Sequence, residues 1–142
     1  MPQTKLPAIP GKRARTILIG EDDLDDQELF REIFSSTGND LELQFLANGS
    51  QVINYLEGCE EEKLPGLIIL DYNMPEMSGA DILKQLKTIA RYQDIPKIIW
   101  STSGSNIYKK KCLEYGASAY IIKPSNVNEL KNVVIHMLSF AK

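Results

Sequence analysis

The sequence predicts an α/β domain, a doubly wound parallel sheet of five strands with five helices. Three observations carry this. Five short apolar runs alternate along the chain with five stretches of helical periodicity, the order that builds a parallel sheet covered on both faces. The run LIIL at 67–70 is apolar without alternation, as a strand buried on both faces must be. A length of 142 residues suits one domain with one core, and no internal repeat or low-complexity stretch suggests a second.

Residues 1–15 are expected to form a flexible basic tail. Pro2, Pro7, Pro10 and Gly11 interrupt any regular pattern, and Lys5, Lys12, Arg13 and Arg15 carry charge with no acid among them. The domain is expected over 16–142. Its strands are TILIG at 16–20, LELQFL at 41–46, LIIL at 67–70, KIIW at 97–100 and AYII at 119–122. The first helix shows the stripe Leu29, Phe30, Ile33 and Phe34, with Asp25 and Asp26 suiting its start and Gly38 its end. Val52, Tyr55, Leu56 and Cys59 mark the second helix, and Ile82, Leu83, Leu86 and Ile89 the third. Ile107, Tyr108, Cys112 and Tyr115 give a fourth stripe, stopped by Gly116. Val127, Leu130, Val133, Val134, Met137 and Leu138 give the fifth, with Asn126 and Glu129 placed as a capping pair.

Composition narrows the function. A hydrophobic fraction of 43% and a charged fraction of 25% are ordinary for a globular protein. The net charge is −3, but without residues 1–15 the chain holds 12 basic against 19 acidic residues, or −7. So acidic a body argues against nucleic-acid binding, which needs cationic surface to displace counterions. Cys59 and Cys112 fall at core-facing helical positions in separate elements and read as reduced thiols. No run approaches the roughly 18 apolar residues of a membrane span, and the N-terminus lacks a signal peptide's apolar stretch, so a cytoplasmic location is expected.

The informative pattern lies just after each apolar run. Glu21, Asp22 and Asp23 follow the first, Asp71 the third, Ser101 and Thr102 the fourth, and Lys123 the fifth. In a parallel sheet these ends share one edge, where open α/β sheets bind ligands. Carboxylates crowded into one pocket resist ionising together unless a cation relieves them. Magnesium takes such hard oxygen ligands, and Glu21, Asp22 and Asp71 suit it. EDDLDDQELF does not fit a calcium loop, lacking the oxygen at its third position and the glycine at its sixth. Asp25 and Asp26 read as a solvated helix entrance. Asp71 then has the setting of a nucleophile for phosphoryl transfer, with the metal, Lys123 and Ser101 meeting the charge on the phosphoryl oxygens.

The motifs ILIGEDD, LIILDYNMPEMSG, IPKIIWSTS and GASAYIIKP resemble the receiver domain of two-component response regulators, in its single-domain chemotaxis form, over residues 16–140. The resemblance implies the flavodoxin-like strand order 2-1-3-4-5. It implies Asp71 as phosphoacceptor, Asp22 as direct ligand of Mg2+ (or Mn2+), and Glu21 acting mostly through water. Asn73 would supply a backbone carbonyl to the metal and Lys123 a phosphate contact. Ser101 and Tyr120 would be the switch pair, and Lys123-Pro124 the family's usual cis peptide. Asn73 and Ser103 fall where lifetime-tuning residues sit. Glu21 in place of aspartate, Ser101 in place of threonine, Gly20 and Ser125 depart from the commonest pattern without removing a required group.

The expected function is that of a stand-alone response regulator, phosphorylated by a histidine kinase or a histidine phosphotransfer protein. It would signal to a downstream protein through the face of the fourth helix, fifth strand and fifth helix, including Tyr108, Lys109, Lys110 and Lys111. No output domain follows Lys142 in this sequence, so the signal is expected to pass through another protein. His136, the only histidine, is expected to be packed or at the surface. The chain is expected not to be an enzyme beyond its own phosphoryl transfer and slow autodephosphorylation. A relay carrier is the alternative within this class. An aspartyl-phosphate phosphatase would want Asp-x-Asp after an early strand, where Asp71-Tyr72-Asn73 follows the third. A flavodoxin-like cofactor binder would want a glycine-rich phosphate loop where GEDDLDD stands.

Overall fold

The structure, a computed structural model, describes residues 15–36 and 41–141. The strands are β1 (Arg15–Gly20), β2 (Leu41–Leu46), β3 (Leu67–Asp71), β4 (Lys97–Ser101) and β5 (Ala119–Ile122). The helices are α1 (Leu24–Ser36), α2 (Gly49–Glu57), α3 (Gly79–Lys87), α4 (Asn106–Glu114) and α5 (Val127–Leu138), with 3-10 turns at Glu61–Lys63 and Ala90–Tyr92. All strand pairs are parallel, in the order β2-β1-β3-β4-β5, so the expected doubly wound topology is the observed one.

The two faces of the sheet explain which residues are buried. Alternate residues of β1, β3 and β4 point to opposite sides. Ile17, Ile19, Leu67, Ile69, Ile98 and Trp100 meet α1 and α5 through Phe30, Ile33, Leu130 and Val134. Leu18, Ile68, Leu70 and Ile99 meet α2 and α3 through Val52, Leu56, Ile82 and Leu83. Because both faces are covered, every residue of β3 and of β4 is buried, including Lys97, whose ammonium donates to the Tyr92 and Ile95 carbonyls. Among the described residues no helix is long and apolar enough to cross a membrane.

Several boundaries differ from the sequence reading. Arg15, assigned to the tail, opens β1 and pairs with Leu41, while residues 1–14 and Gly38 lie outside the described residues. Asp25 and Asp26 lie in the first turn of α1 as expected, and Asp23 ahead of them caps the helix, its Oδ1 accepting from their amides at 2.8 and 3.1 Å. Cys59 lies beyond the C-cap Gly58 and is half-buried off the helix, whereas Cys112 is buried on α4 as expected; both thiols are free. Ile89 likewise lies past the end of α3. The fourth stripe is the largest departure: only Cys112 of α4 is buried, and Ile107 is 77% exposed. Ile107 faces solvent and Tyr108 is 38% exposed, whereas Cys112, Tyr115 and Ala117 pack against the core at the C-terminal end of the helix, where Gly116 takes a φ of 98°. Asn126 caps α5 by accepting from the Glu129 amide, the forward half of the expected pair. His136 is exposed, its ring edge-on to Phe140. No described peptide bond is cis, so Lys123-Pro124 is trans, the form an X-Pro bond ordinarily prefers by about 0.5–1 kcal/mol.

Candidate functional site

The strand ends converge as the sequence implied. Asp71 is the last residue of β3 and Ser101 the last of β4, each one position inside the strand it was expected to follow. Register places Asp71 opposite Trp100, and Ser101 opposite Ile122. Lys123 is tied to this edge by its amide, which donates to the Ser101 carbonyl at 2.7 Å. Beyond Asp71, Gly79 closes the loop: its amide donates to the Tyr72 carbonyl at 2.8 Å, and a Cβ there would lie 2.9 Å from the Asp71 carbonyl oxygen. Ser78 and Asp81 form a reciprocal capping box that starts α3 just after this turn.

At the mouth of the sheet, carboxylate oxygens of Glu21, Asp22 and Asp71 lie within 4.8 Å of one another. Glu21 is fully buried and Asp71 nearly so, while Asp22 is exposed. The Lys123 ammonium lies 3.2 Å from Asp71, 3.3 Å from Glu21 and 3.4 Å from Asp26. The Asn73 amide donates to Asp71 Oδ1 at 3.2 Å, and the Asp23 amide to Glu21 Oε2 at 3.1 Å. Buried Gln27 donates to the Glu21 carbonyl at 2.7 Å and fixes the acidic turn to α1.

The electrostatics follow from this crowding. Burial first, then the Asp71 carboxylate beside it, push Glu21 up to about 7, against the pull of Lys123. Burial also raises Asp71, partly offset by Lys123 and by the Asn73 N–H. Burial alone would lower Lys123, but the Glu21 and Asp71 carboxylates outweigh it and the ammonium is stabilised. One ammonium cannot fully compensate two buried carboxylates and their exposed neighbours. A hard divalent cation fits such a donor set, with the carboxylates supplying oxygen ligands.

The switch candidates lie beside the pocket. Ser101 is fully buried, and its Oγ accepts from the Ser103 amide at 3.0 Å. Tyr120 is half-buried and donates its hydroxyl to the Ser103 carbonyl at 2.7 Å. Lys109, Lys110 and Lys111 are exposed on α4, and Tyr108 stacks on Tyr72 with ring centroids 4.5 Å apart.

Two residues at the site were missed or misread in sequence. Asp26, read as a solvated helix entrance, is 3.4 Å from Lys123. Trp100, unremarked there, lies with its ring centroid 4.5 Å from the same ammonium. A signal for the second existed: Trp100 directly precedes Ser101, so strand alternation turns it to the α1 face, toward Asp26.

A doubly wound sheet with an acidic pocket and a lysine at its carboxyl edge defines a CheY-like α/β domain. The chain belongs to the response regulator receiver domain family, whose model matches residues 17–135. It is therefore a phosphoacceptor signalling domain of the two-component type. It is 44% identical over 72 residues to the two-component response regulator ORR3 of Oryza sativa subsp. indica, covering 49% of this chain and 55% of that one. It is 34% identical to histidine kinase P4 of Formosa agariphila over 87% of this chain but 8% of the kinase, and 29% identical to chemotaxis protein CheY1 of Helicobacter pylori over 76% and 87% of the two chains. The chain thus spans about half of the rice regulator and a small part of the kinase. Among solved structures it resembles the phosphorylated cyanobacterial phytochrome response regulator RcpA, with a TM-score of 0.83 and 25% identity over 91% of this chain and 94% of that one. The Mn2+-bound form of response regulator Rcp1 gives 0.80 and 28% over 89% and 93%.

Proposed function

We propose that this domain acts as a stand-alone response regulator, taking a phosphoryl group onto Asp71 from a phosphohistidine of a histidine kinase or histidine phosphotransfer protein. The single observation that carries the reading is the 3.2 Å approach of Lys123 to Asp71 inside the acidic pocket. An Asp71 carboxylate oxygen forms the new P–O bond as the P–N bond to the donor breaks, and the bonding pair passes to the imidazole nitrogen. Lys123 meets the charge on the phosphoryl oxygens as a compact point charge. Glu21, Asp22, Asp71 and the Asn73 backbone carbonyl are the groups to hold Mg2+ (or Mn2+), which when bound would neutralise the carboxylates and the transferring oxygens. The Mn2+-bound Rcp1 neighbour supports a divalent metal here.

Ser101 and Tyr120 are proposed to pass the phosphorylated state to the face formed by α4, β5 and α5, which binds a downstream protein. Chemotaxis protein CheY1 and the phosphorylated response regulator RcpA, matched over 87% and 94% of their chains, support a response-regulator role. The test is intact mass after incubation with a small phosphodonor and Mg2+. One phosphoryl adduct is expected, absent in Asp71→Asn and after chelation of the metal. Continuous turnover of phosphate monoesters without a stable adduct would overturn the reading in favour of a phosphatase.

A further inference from the structure

We propose that Asp26 and Trp100 are positioning residues for Lys123, forming a cradle that aims the ammonium at the phosphoryl group. This rests on the reading of Asp71 as phosphoacceptor. Lys123 Nζ has three protons and three carboxylates within reach, Glu21, Asp26 and Asp71, at 3.2–3.4 Å. These three do not stand on the same footing. Glu21 and Asp71 also belong to the group of oxygens able to hold a cation, whereas Asp26 does not. A cation on Glu21 and Asp71 reduces what those carboxylates offer the ammonium and leaves Asp26 as its one uncommitted anion.

The indole face completes the cradle. Trp100 is 1% exposed, and its ring meets Phe30 edge-on with centroids 4.6 Å apart. It is fixed in β4, where its carbonyl accepts from the Tyr72 amide at 3.0 Å, one residue from Asp71. The ammonium 4.5 Å from its centroid is within cation–π range. Lys123 is thus bounded by a rigid aromatic face, by an acid at the start of α1 and by buried Glu21, which together hold the ammonium against Asp71. A long, flexible lysine gains most from such confinement, because its rotamer freedom otherwise opposes a fixed geometry.

The direction of the effect separates this from simple electrostatics. Asp26 repels an anionic phosphodonor, so removing its charge alone would speed phosphorylation, whereas losing the aim of Lys123 slows it. Asp26→Asn is expected to be phosphorylated by acetyl phosphate with Mg2+ about tenfold more slowly than wild type, and Asp26→Glu to recover most of that loss. Trp100→Leu is expected to be slower than Trp100→Phe, which keeps an aromatic face. Trp100 is the only tryptophan, so its emission reports the ammonium directly and is expected to shift in Asp26→Asn. Asp26 is partly exposed, and its variant carries the test by itself if the core variants fail to fold. An Asp26→Asn rate equal to or faster than wild type overturns the inference alone. A wild type that gains no phosphoryl adduct overturns the reading of Asp71 and this inference with it.

Discussion

Ser101 and Tyr120 grip the same backbone unit from two sides: the Ser101 hydroxyl accepts from the Ser103 amide at 3.0 Å, and the Tyr120 hydroxyl donates to the Ser103 carbonyl at 2.7 Å. A group that draws the Ser101 hydroxyl toward Asp71 therefore releases one of the two ties on the loop that leads into α4. Ser101→Ala is expected to lower stability by about 1 kcal/mol, the net value of one partly buried hydrogen bond. It should also abolish the gain in partner affinity on phosphorylation. Urea unfolding and a binding titration with a phosphoryl mimic measure the two effects, and an unchanged affinity gain would contradict the switch.

Tyr72, next to Asp71, stacks on Tyr108 of α4 at an interplanar angle of 13°. Because α4 buries only Cys112, this pair is a principal tie between the helix and the site. Tyr108→Ala is expected to cost about 1 kcal/mol. Amide exchange should rise within α4 while the amides of β3 and β4 keep their protection. Uniform loss of protection would show the pair to be part of the global core instead.

This aromatic tie marks the limit of what was legible in the chain. The sheet and the convergence of Glu21, Asp22, Asp71, Ser101 and Lys123 at one edge follow from apolar runs and the residues ending them, while the strand order rests on the resemblance to receiver domains. Tyr72 and Tyr108 meet across two elements distant in the chain, a contact that no spacing within either element encodes. Asp26 was misread for a related reason: acids at a helix start are usually solvated, and only the return of β5 brings Lys123 over that helix. The α4 stripe failed because helical spacing shows that a face exists, not that it is covered.

Gly79 has no room for a side chain. A Cβ would lie 2.9 Å from both the Asp71 carbonyl oxygen and the Ile99 Cδ1. Gly79→Ala is expected to destabilise by about 1–3 kcal/mol, as overpacking of a core position does, and to slow phosphorylation by shifting the Asp71 backbone. Thermal unfolding checks the first, and a phosphorylation rate at a temperature where the variant stays folded checks the second.

Glu21 links the pocket to pH. Its ordinary value is 4.5 and in the fold it lies at about 7. Between those values the folded metal-free protein holds more protons than the unfolded chain, so its stability falls as pH rises through this window, by up to about 3 kcal/mol from this group. Mg2+ competes with the proton, so the rise in melting temperature on adding Mg2+ should grow from pH 5 to about pH 7. Calorimetry with and without the ion measures this. A metal-induced shift that shrinks with rising pH would contradict the placement of Glu21 in the metal site.

A phosphoryl group carried by Asp71 is an acyl phosphate. Borohydride reduction of the phosphorylated protein converts such an aspartyl phosphate to homoserine, which peptide mass mapping locates. Homoserine is expected at position 71 and nowhere else, formed only when phosphodonor and Mg2+ were both supplied. Homoserine at another acidic position, or phosphate stable on a hydroxyl or on His136, would contradict it.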